Sequence, residues 1–317
     1  MRTGTLRIGT RRSALARVQA DWVRDALSAR FPEHSVELVL METKGDKLLD
    51  APLAKFGGKG LFVKDLEEGL LDGRIDLAVH SLKDVPVELP VGLHLSAICE
   101  REDPRDALVA PTHLSFKNLP RGSRVGTSSL RRQSQLLAIR PDLSIVPLRG
   151  NVQTRLEKLD REGLDAVILA FAGLRRLGLE GRATEILDLS VSLPAVGQGS
   201  LAIECRVDDA ETNARVRTLE HPESALAASA ERAFLASLGG GCQVPMGGYA
   251  VIEGDRVWLR AFVATPDGKR VIAGGRRGRA EEGGAVGRAL AEDLARRGAA
   301  EILSELERSL SPEIDAL

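Results

Sequence analysis

Arg7-Ile8-Gly9-Thr10-Arg11-Arg12-Ser13 and Arg124-Val125-Gly126-Thr127-Ser128-Ser129-Leu130-Arg131-Arg132 are the stretches on which the fold turns. Each carries a short apolar run into Gly-Thr, then serine and an arginine pair, then a helical pattern. After the first, Leu15, Val18, Trp22, Ala26 and Leu27 recur at helical spacing, and Pro32 marks the end. The likeness persists further out. Val36 to Met41 reads as a strand and meets Lys44-Gly45-Asp46; Leu143 to Leu148 reads as a strand and meets Arg149-Gly150-Asn151. Amphipathic helices are expected around 62–72 and 153–162, closing at Gly73 and Gly163. A third strand follows each, Ile75 to Val79 and Leu164 to Leu169. Strand, helix, strand, helix, strand thus occurs twice. That alternation favours parallel sheets with helices on their faces, and three signals in one order point to a duplicated lobe.

Two polar stretches could join the lobes, Glu100 to Asp106 and Leu193 to Gly199. The second precedes Leu201-Ala202-Ile203-Glu204-Cys205, which can return the chain to the first lobe. Two crossings suit a hinged pair of lobes around a central cleft. The last hundred residues change character. Tyr249 to Ile252, Val257 to Val263 and Arg270 to Ala273 look like short strands, with turns at Gly254-Asp255 and Asp267-Gly268. A helix is expected over roughly 284–307. The expected fold is α/β, two lobes plus a small α+β C-terminal domain. Its domains are 1–99 with 200–218, then 100–199, then 219–317.

Composition narrows the function. The chain has 317 residues, 44 basic and 45 acidic, so a globally basic nucleic-acid binder is disfavoured. Aromatic residues are 3%, too few for base-stacking platforms. The apolar run Ala166 to Leu174 is far too short to span a bilayer. No apolar signal region follows Met1, so a cytoplasmic location is expected. Cys99, Cys205 and Cys242 make no Cys-x-x-Cys spacing and cannot all pair, and no cluster at ligand spacing supports a metal.

Arginines fall just after predicted strands: Arg11, Arg12, Arg131, Arg132, Arg149, Arg155, Arg175 and Arg176. Ligands of open parallel sheets bind beyond the strands' carboxyl ends. Helix N-termini there, near Ser13, Ser128 and Ser129, offer unpaired N–H groups. Any one arginine alone reads as a solvated surface residue; their repeated placement reads as a site for a polyanion. Asp84, in His80-Ser81-Leu82-Lys83-Asp84-Val85-Pro86, is placed for proton transfer or cation stabilisation, and equally for a turn. Asp46 is a second candidate, although Gly45-Asp46 suits a plain turn. His80 reads as a core histidine. Cys99 and Cys205 end apolar runs and read as inert. Cys242, among Gly239, Gly240 and Gly241, is either an attachment point or nucleophile, or a small residue in a tight turn. Thr43 to Gly60, with four lysines, looks like a cationic lid.

In order along nearly the whole chain, these stretches resemble the porphobilinogen deaminase family. The resemblance is carried by Arg7 to Ser13, Phe56-Gly57-Gly58-Lys59-Gly60-Leu61-Phe62, Ala78 to Pro86, Val125 to Arg132, Leu148 to Val152, Ala172 to Leu177, Pro194 to Gly199, and Gly240-Gly241-Cys242-Gln243-Val244-Pro245. It implies two lobes of the periplasmic-binding-protein type (type II) and a third domain carrying the cofactor. It implies a dipyrromethane cofactor held by a thioether at Cys242, a porphobilinogen substrate, and a monomeric transferase. Four porphobilinogens are then added to that primer, each losing ammonia, and hydrolysis releases hydroxymethylbilane for tetrapyrrole and haem synthesis. By resemblance Asp84 is catalytic. Ser13, Asp46, Ser81, Lys83, Thr127, Ser129, Arg131, Arg132, Arg155 and Gly199 contact the cofactor. Arg11, Gln19, Lys55, Lys59, Phe62, Arg149, Arg155, Arg176 and Gln198 serve the substrate. Ser200 departs from the alanine more usual in the family. Two other readings are a non-catalytic two-lobed binder of small anions, which would leave Cys242 bare, and a cysteine hydrolase, for which no histidine partner is evident.

Overall fold

Alternating apolar residues make Leu6–Arg11 (β1) the centre of one parallel trio of strands, and Arg124–Gly126 (β6) the centre of another. The computed structural model describes residues 4–42, 63–110, 115–239 and 244–310. By contact they form two units: 4–42, 63–102 and 199–225 in the first, and the rest in the second.

In the first unit β1 runs parallel to β2 (Val36–Met41) and β3 (Leu77–Ser81). β10 (Leu201–Arg206) is antiparallel to β3 and to β4 (Leu93–Ile98), giving the order β2-β1-β3-β10-β4. Helix α1 (Ala14–Arg30) starts at Ser13, whose hydroxyl accepts from the Ala16 N–H at 3.3 Å. It buries Ala20, Val23 and Leu27 against Ile8, Leu77, Val79 and Ile203. Helix α2 (Lys64–Leu71) covers the other face, with Leu66 and Leu70 on Met41, Ile75 and Ala78. Each large apolar side chain so buried contributes about 1.5–3 kcal/mol, so burial fixes which face each residue takes.

The second unit repeats the plan. β6 is parallel to β7 (Ser144–Val146) and β8 (Ala166–Ala170). β5 (Asp106–Val109) is antiparallel to β8 and β9 (Glu185–Ile186), giving β7-β6-β8-β5-β9. Helices α3 (Leu130–Ile139) and α4 (Val152–Arg161) are capped by Ser129 and Asn151; α5 (Phe171–Arg176) follows β8. The glycine of each repeated stretch has one job. A Cβ at Gly9 would run into Ile75 and Leu66, and at Gly126 it would meet Leu148 and Leu164 at 2.9 Å.

After α6 (Ala210–Val216) and α7 (Pro222–Ser237) comes an antiparallel sheet of β11 (Met246–Glu253), β12 (Arg256–Ala264) and β13 (Val271–Arg279). Phe234, Val257, Leu259, Leu290, Leu294 and Ile302 form its core with α8 (Gly283–Leu294) and α9 (Ala300–Leu310).

Four expectations need correction. The single C-terminal helix is two, because Gly298 adopts φ 110° between them. β13 extends to Arg279, since an exposed edge strand keeps its ladder to β12 without apolar alternation. Asp106 is not part of a polar joint: it opens β5 and is completely buried. The third strands also begin two residues later than expected, because Ile75 and Leu164 pack beneath Gly9 and Gly126 instead.

Candidate active site

Asp84 ends a single 3₁₀ turn, Leu82–Asp84, that follows β3. Leu82 and Val85 are buried on either side of it. The Leu82 N–H donates to the Ser200 carbonyl at 3.0 Å, and Val85 N–H to the Leu82 carbonyl at 3.1 Å. The carboxylate is thereby carried on a rigid turn at the carboxyl end of β3, half-exposed. A cavity of about 30 Å³ beside it is lined by Arg11, Gln19, Val63, His80, Ser81 and Asp84, among others. Gln19 is buried and donates to Ser81 Oγ at 3.0 Å. Arg11, Ser13, Gln19, Ser81, Lys83 and Asp84 therefore gather at one end of this sheet. Gly199, in the same unit, has φ 95°, and a Cβ there would strike the Glu102 carbonyl.

Behind the cavity lies a buried acidic group. His80 Nε2 and Glu204 Oε2 are 2.9 Å apart, with both side chains almost wholly buried. Glu204 Oε1 has no partner among the described residues. Glu67 of α2 is buried nearby, and its carboxyl is pushed up to about 7. Burial is the main cause, and Glu204 adds to it against the pull of His80 and Lys64.

The second unit gathers cations at the corresponding end. Arg131 and Arg132 both converge on Asp106, at 2.9 Å and 2.7 Å. Arg131 also donates to the Leu193 carbonyl at 2.6 Å, and Arg132 to the Ile168 carbonyl at 3.0 Å. Ser192 Oγ and Gln198 Nε2 add donors to Asp106 at 2.7 Å and 2.9 Å. Burial alone would raise the Asp106 carboxyl, but Arg131 and Arg132 outweigh it and hold it well below the usual carboxylate range. Burial draws Arg131 below its ordinary value, against the opposing charge of Asp106. Thr127 Oγ1 accepts from the Ser129 N–H at 3.1 Å, and Ser129 Oγ from the Arg132 N–H at 3.4 Å. Arg155 Nε donates to the Gly150 carbonyl at 2.8 Å. Arg149 and Arg176 are half-buried. Asp46, Lys55, Lys59, Phe62 and Cys242 lie outside the described residues, as does the whole Thr43 to Gly60 stretch.

Two family descriptions match the chain. "Porphobilinogen deaminase, dipyromethane cofactor binding domain" matches residues 6–214, and "Porphobilinogen deaminase, C-terminal domain" matches residues 225–296. The chain belongs to the porphobilinogen deaminase family. Among solved structures it is similar to a putative methionine-binding lipoprotein from Bacillus subtilis. Identity is 12%, over 68% of this chain and 90% of that one, with a TM-score of 0.42. It is also similar to the periplasmic aliphatic sulphonate binding protein of Escherichia coli, at 19% identity over 74% and 70%, with a TM-score of 0.40. Likeness at that level says nothing about the ligand of this chain.

Membership in the porphobilinogen deaminase family makes the chain a transferase of tetrapyrrole synthesis. It condenses porphobilinogen stepwise onto a dipyrromethane primer, losing ammonia at each addition, and releases hydroxymethylbilane. The donors of the second unit fit such a primer. Its acetate and propionate arms require cations and N–H groups, and Arg132 Nε is buried with no partner among the described residues. The start of α3, where Ser129 caps the Arg132 N–H, brings a helix N-terminus to the same segment. Asp106, Ser192 and Glu204 are not among the residues the sequence singles out. Nor is Glu231, which accepts from Gly197 N–H at 2.7 Å and Ala250 N–H at 2.8 Å. Asp106 had a signal: a carboxylate opening the apolar run Asp106-Ala107-Leu108-Val109 needs buried cations.

Proposed function

We propose that Asp84 is the acid–base residue of this deaminase and that Cys242 holds the primer through a thioether. The observation that carries the reading is the position of Asp84 on its buried turn, beside Arg11 and the Gln19–Ser81 pair. When bound, the primer supplies the free pyrrole α-carbon that attacks each incoming substrate. The Asp84 carboxylate offsets the positive charge the substrate acquires as ammonia departs, and accepts the proton displaced by the new carbon–carbon bond. Lys83, with Ser13, Asp46, Ser81, Thr127, Ser129, Arg131, Arg132, Arg155 and Gly199, orients the primer. Arg11, Gln19, Lys55, Lys59, Phe62, Arg149, Arg155, Arg176 and Gln198 receive substrate carboxylates or position the ring. The domains in this reading are 1–99 with 200–218, 100–199 and 219–317. The protein works as a cytoplasmic monomer without nucleic acid. No helix among the described residues is long and apolar enough to cross a membrane.

The test is the intact mass of the denatured protein and of Cys242→Ser. An adduct of two linked pyrrole units, absent from the variant, is expected. A chain that stays bare after incubation with porphobilinogen would overturn the attachment and favour the small-anion-binding reading.

A further inference from the structure

The C-terminal sheet has two faces. Val257, Leu259, Ala261 and Val263 of β12 are buried in the core that the helices complete. The alternate residues Trp258, Arg260 and Phe262 point the other way, and β13 sets Arg277, Gly275 and Ala273 opposite them. Phe262 is covered by Leu193 and Tyr249. Past Phe262 the face becomes one wall of a groove of about 510 Å³. The other walls are α3, through Gln135, Ala138 and Ile139, and residues 189–193. Small-molecule sites typically occupy about 300–1,000 Å³.

The lining is of two kinds. Ile139, Leu189, Val191 and Val271 make it apolar; Ile139 and Val271 are 47% and 42% exposed, high for such residues. The Arg260 guanidinium, also in the wall, lies 4.7 Å from the centroid of the Trp258 ring. Arg277 lies 5.0 Å from the same ring. Of the two, Arg260 is the cation in the groove wall, where an anion is attracted to it. Arg260 Nε is buried with no partner among the described residues. Asp188 feels the charge of Arg260, but its Oδ1 is engaged by the Ser190 N–H and hydroxyl at 2.8 Å and 2.6 Å.

We propose that this groove binds a small aromatic carboxylate or sulfonate, its ring among Ile139, Leu189, Val191 and Val271 and its anionic group at Arg260. The site shares a wall with the arginine cluster. Gln135 accepts from the Leu193 N–H at 2.7 Å and donates to the Leu193 carbonyl, which also receives Arg131. An occupant is thus in contact with the segment that Arg131 holds.

The test is a fluorescence titration of the full chain with 8-anilinonaphthalene-1-sulfonate, an aromatic sulfonate that brightens in apolar surroundings. Saturable binding at one site per chain is expected. Arg260→Gln and Ile139→Glu should each weaken it about tenfold or more while deaminase turnover stays unchanged. Val271→Glu, on an exposed edge, should act as Ile139→Glu does and replaces it if that variant does not fold. Equal affinity in wild type and variants overturns the proposal, as does non-saturable binding. Displacement by porphobilinogen without response to the variants assigns the dye to the active site and also overturns it.

Discussion

In the first sheet β3 ends at Ser81 opposite Leu201, and in the second β8 ends at Ala170 opposite Asp106. Strand order and register agree at this point, and an apolar residue in one unit stands where a carboxylate stands in the other. Around Leu201 stand two carboxylates, Asp84 half-exposed beside Arg11 and Glu204 with His80 behind it. Around Asp106 stand two buried arginines. A duplicated backbone supplies the same ends of strands twice, and a few side chains then set them apart. In the proposed reading one end handles protons, while the other neutralises carboxylates.

The largest effect expected from breaking this division is at the acidic end. Asp84→Asn should lower the rate of product formation by about 10²–10⁴-fold, the usual worth of general acid–base help. The intact mass should show the primer still attached, because the proposed role of Asp84 is in turnover and not in attachment. Substantial residual turnover would remove Asp84 from the central role.

The second effect is on stability. Asp106→Leu makes the end of the second sheet resemble that of the first. It leaves Arg131 and Arg132 buried without their carboxylate, which should cost about 3–5 kcal/mol. Urea unfolding at unchanged m-value would measure it. A loss under about 1 kcal/mol, comparable to a typical single hydrogen bond, would mean that the arginines find other partners. They would then be held by Leu193 and Ile168 more than by Asp106.

How far the sequence exposed this arrangement differs between backbone and charge. The repeated Gly-Thr stretches, the strand Val36–Met41 and the helix before Pro32 were legible because burial imposes period 2 or 3.6 on apolar residues. The arginine-rich strand ends were legible too. Partnership was not. Nothing local ties Asp106 to Arg131 and Arg132, 25 and 26 residues away, or His80 to Glu204, 124 residues away. β13 was cut short for the same reason, since its pairing to β12 replaces the apolar signal.

A third prediction concerns pH and belongs to the first unit alone. The Glu67 carboxyl is pushed up to about 7 from an ordinary 4.5, by burial first and Glu204 second. The unfolded chain therefore releases this proton at lower pH than the folded chain does. The contribution is fully present below 4.5 and is lost as pH rises through about 7. Glu67→Gln removes the titration, so its melting temperature should gain on wild type across that window. Parallel curves would show that Glu67 ionises freely and that the buried acidic group is smaller than it looks.

The smallest effects compare the two serines that begin the first helix of each unit. Ser13 accepts from the Ala16 N–H at 3.3 Å, and Ser129 from the Arg132 N–H at 3.4 Å. As helix caps the two are near equals, and replacing either by alanine should cost about 0.5–2 kcal/mol of stability. Their surroundings differ. Ser129 also receives order from Thr127 and precedes the two arginines that converge on Asp106, whereas Ser13 follows the half-buried Arg11. Loosening the start of α3 should therefore reduce the fraction of chains carrying the primer, read by intact mass. Loosening the start of α1 should leave loading intact and lower turnover alone. Equal loading in both variants at matched stability would mean that the arginines are placed by Asp106 without help from the cap.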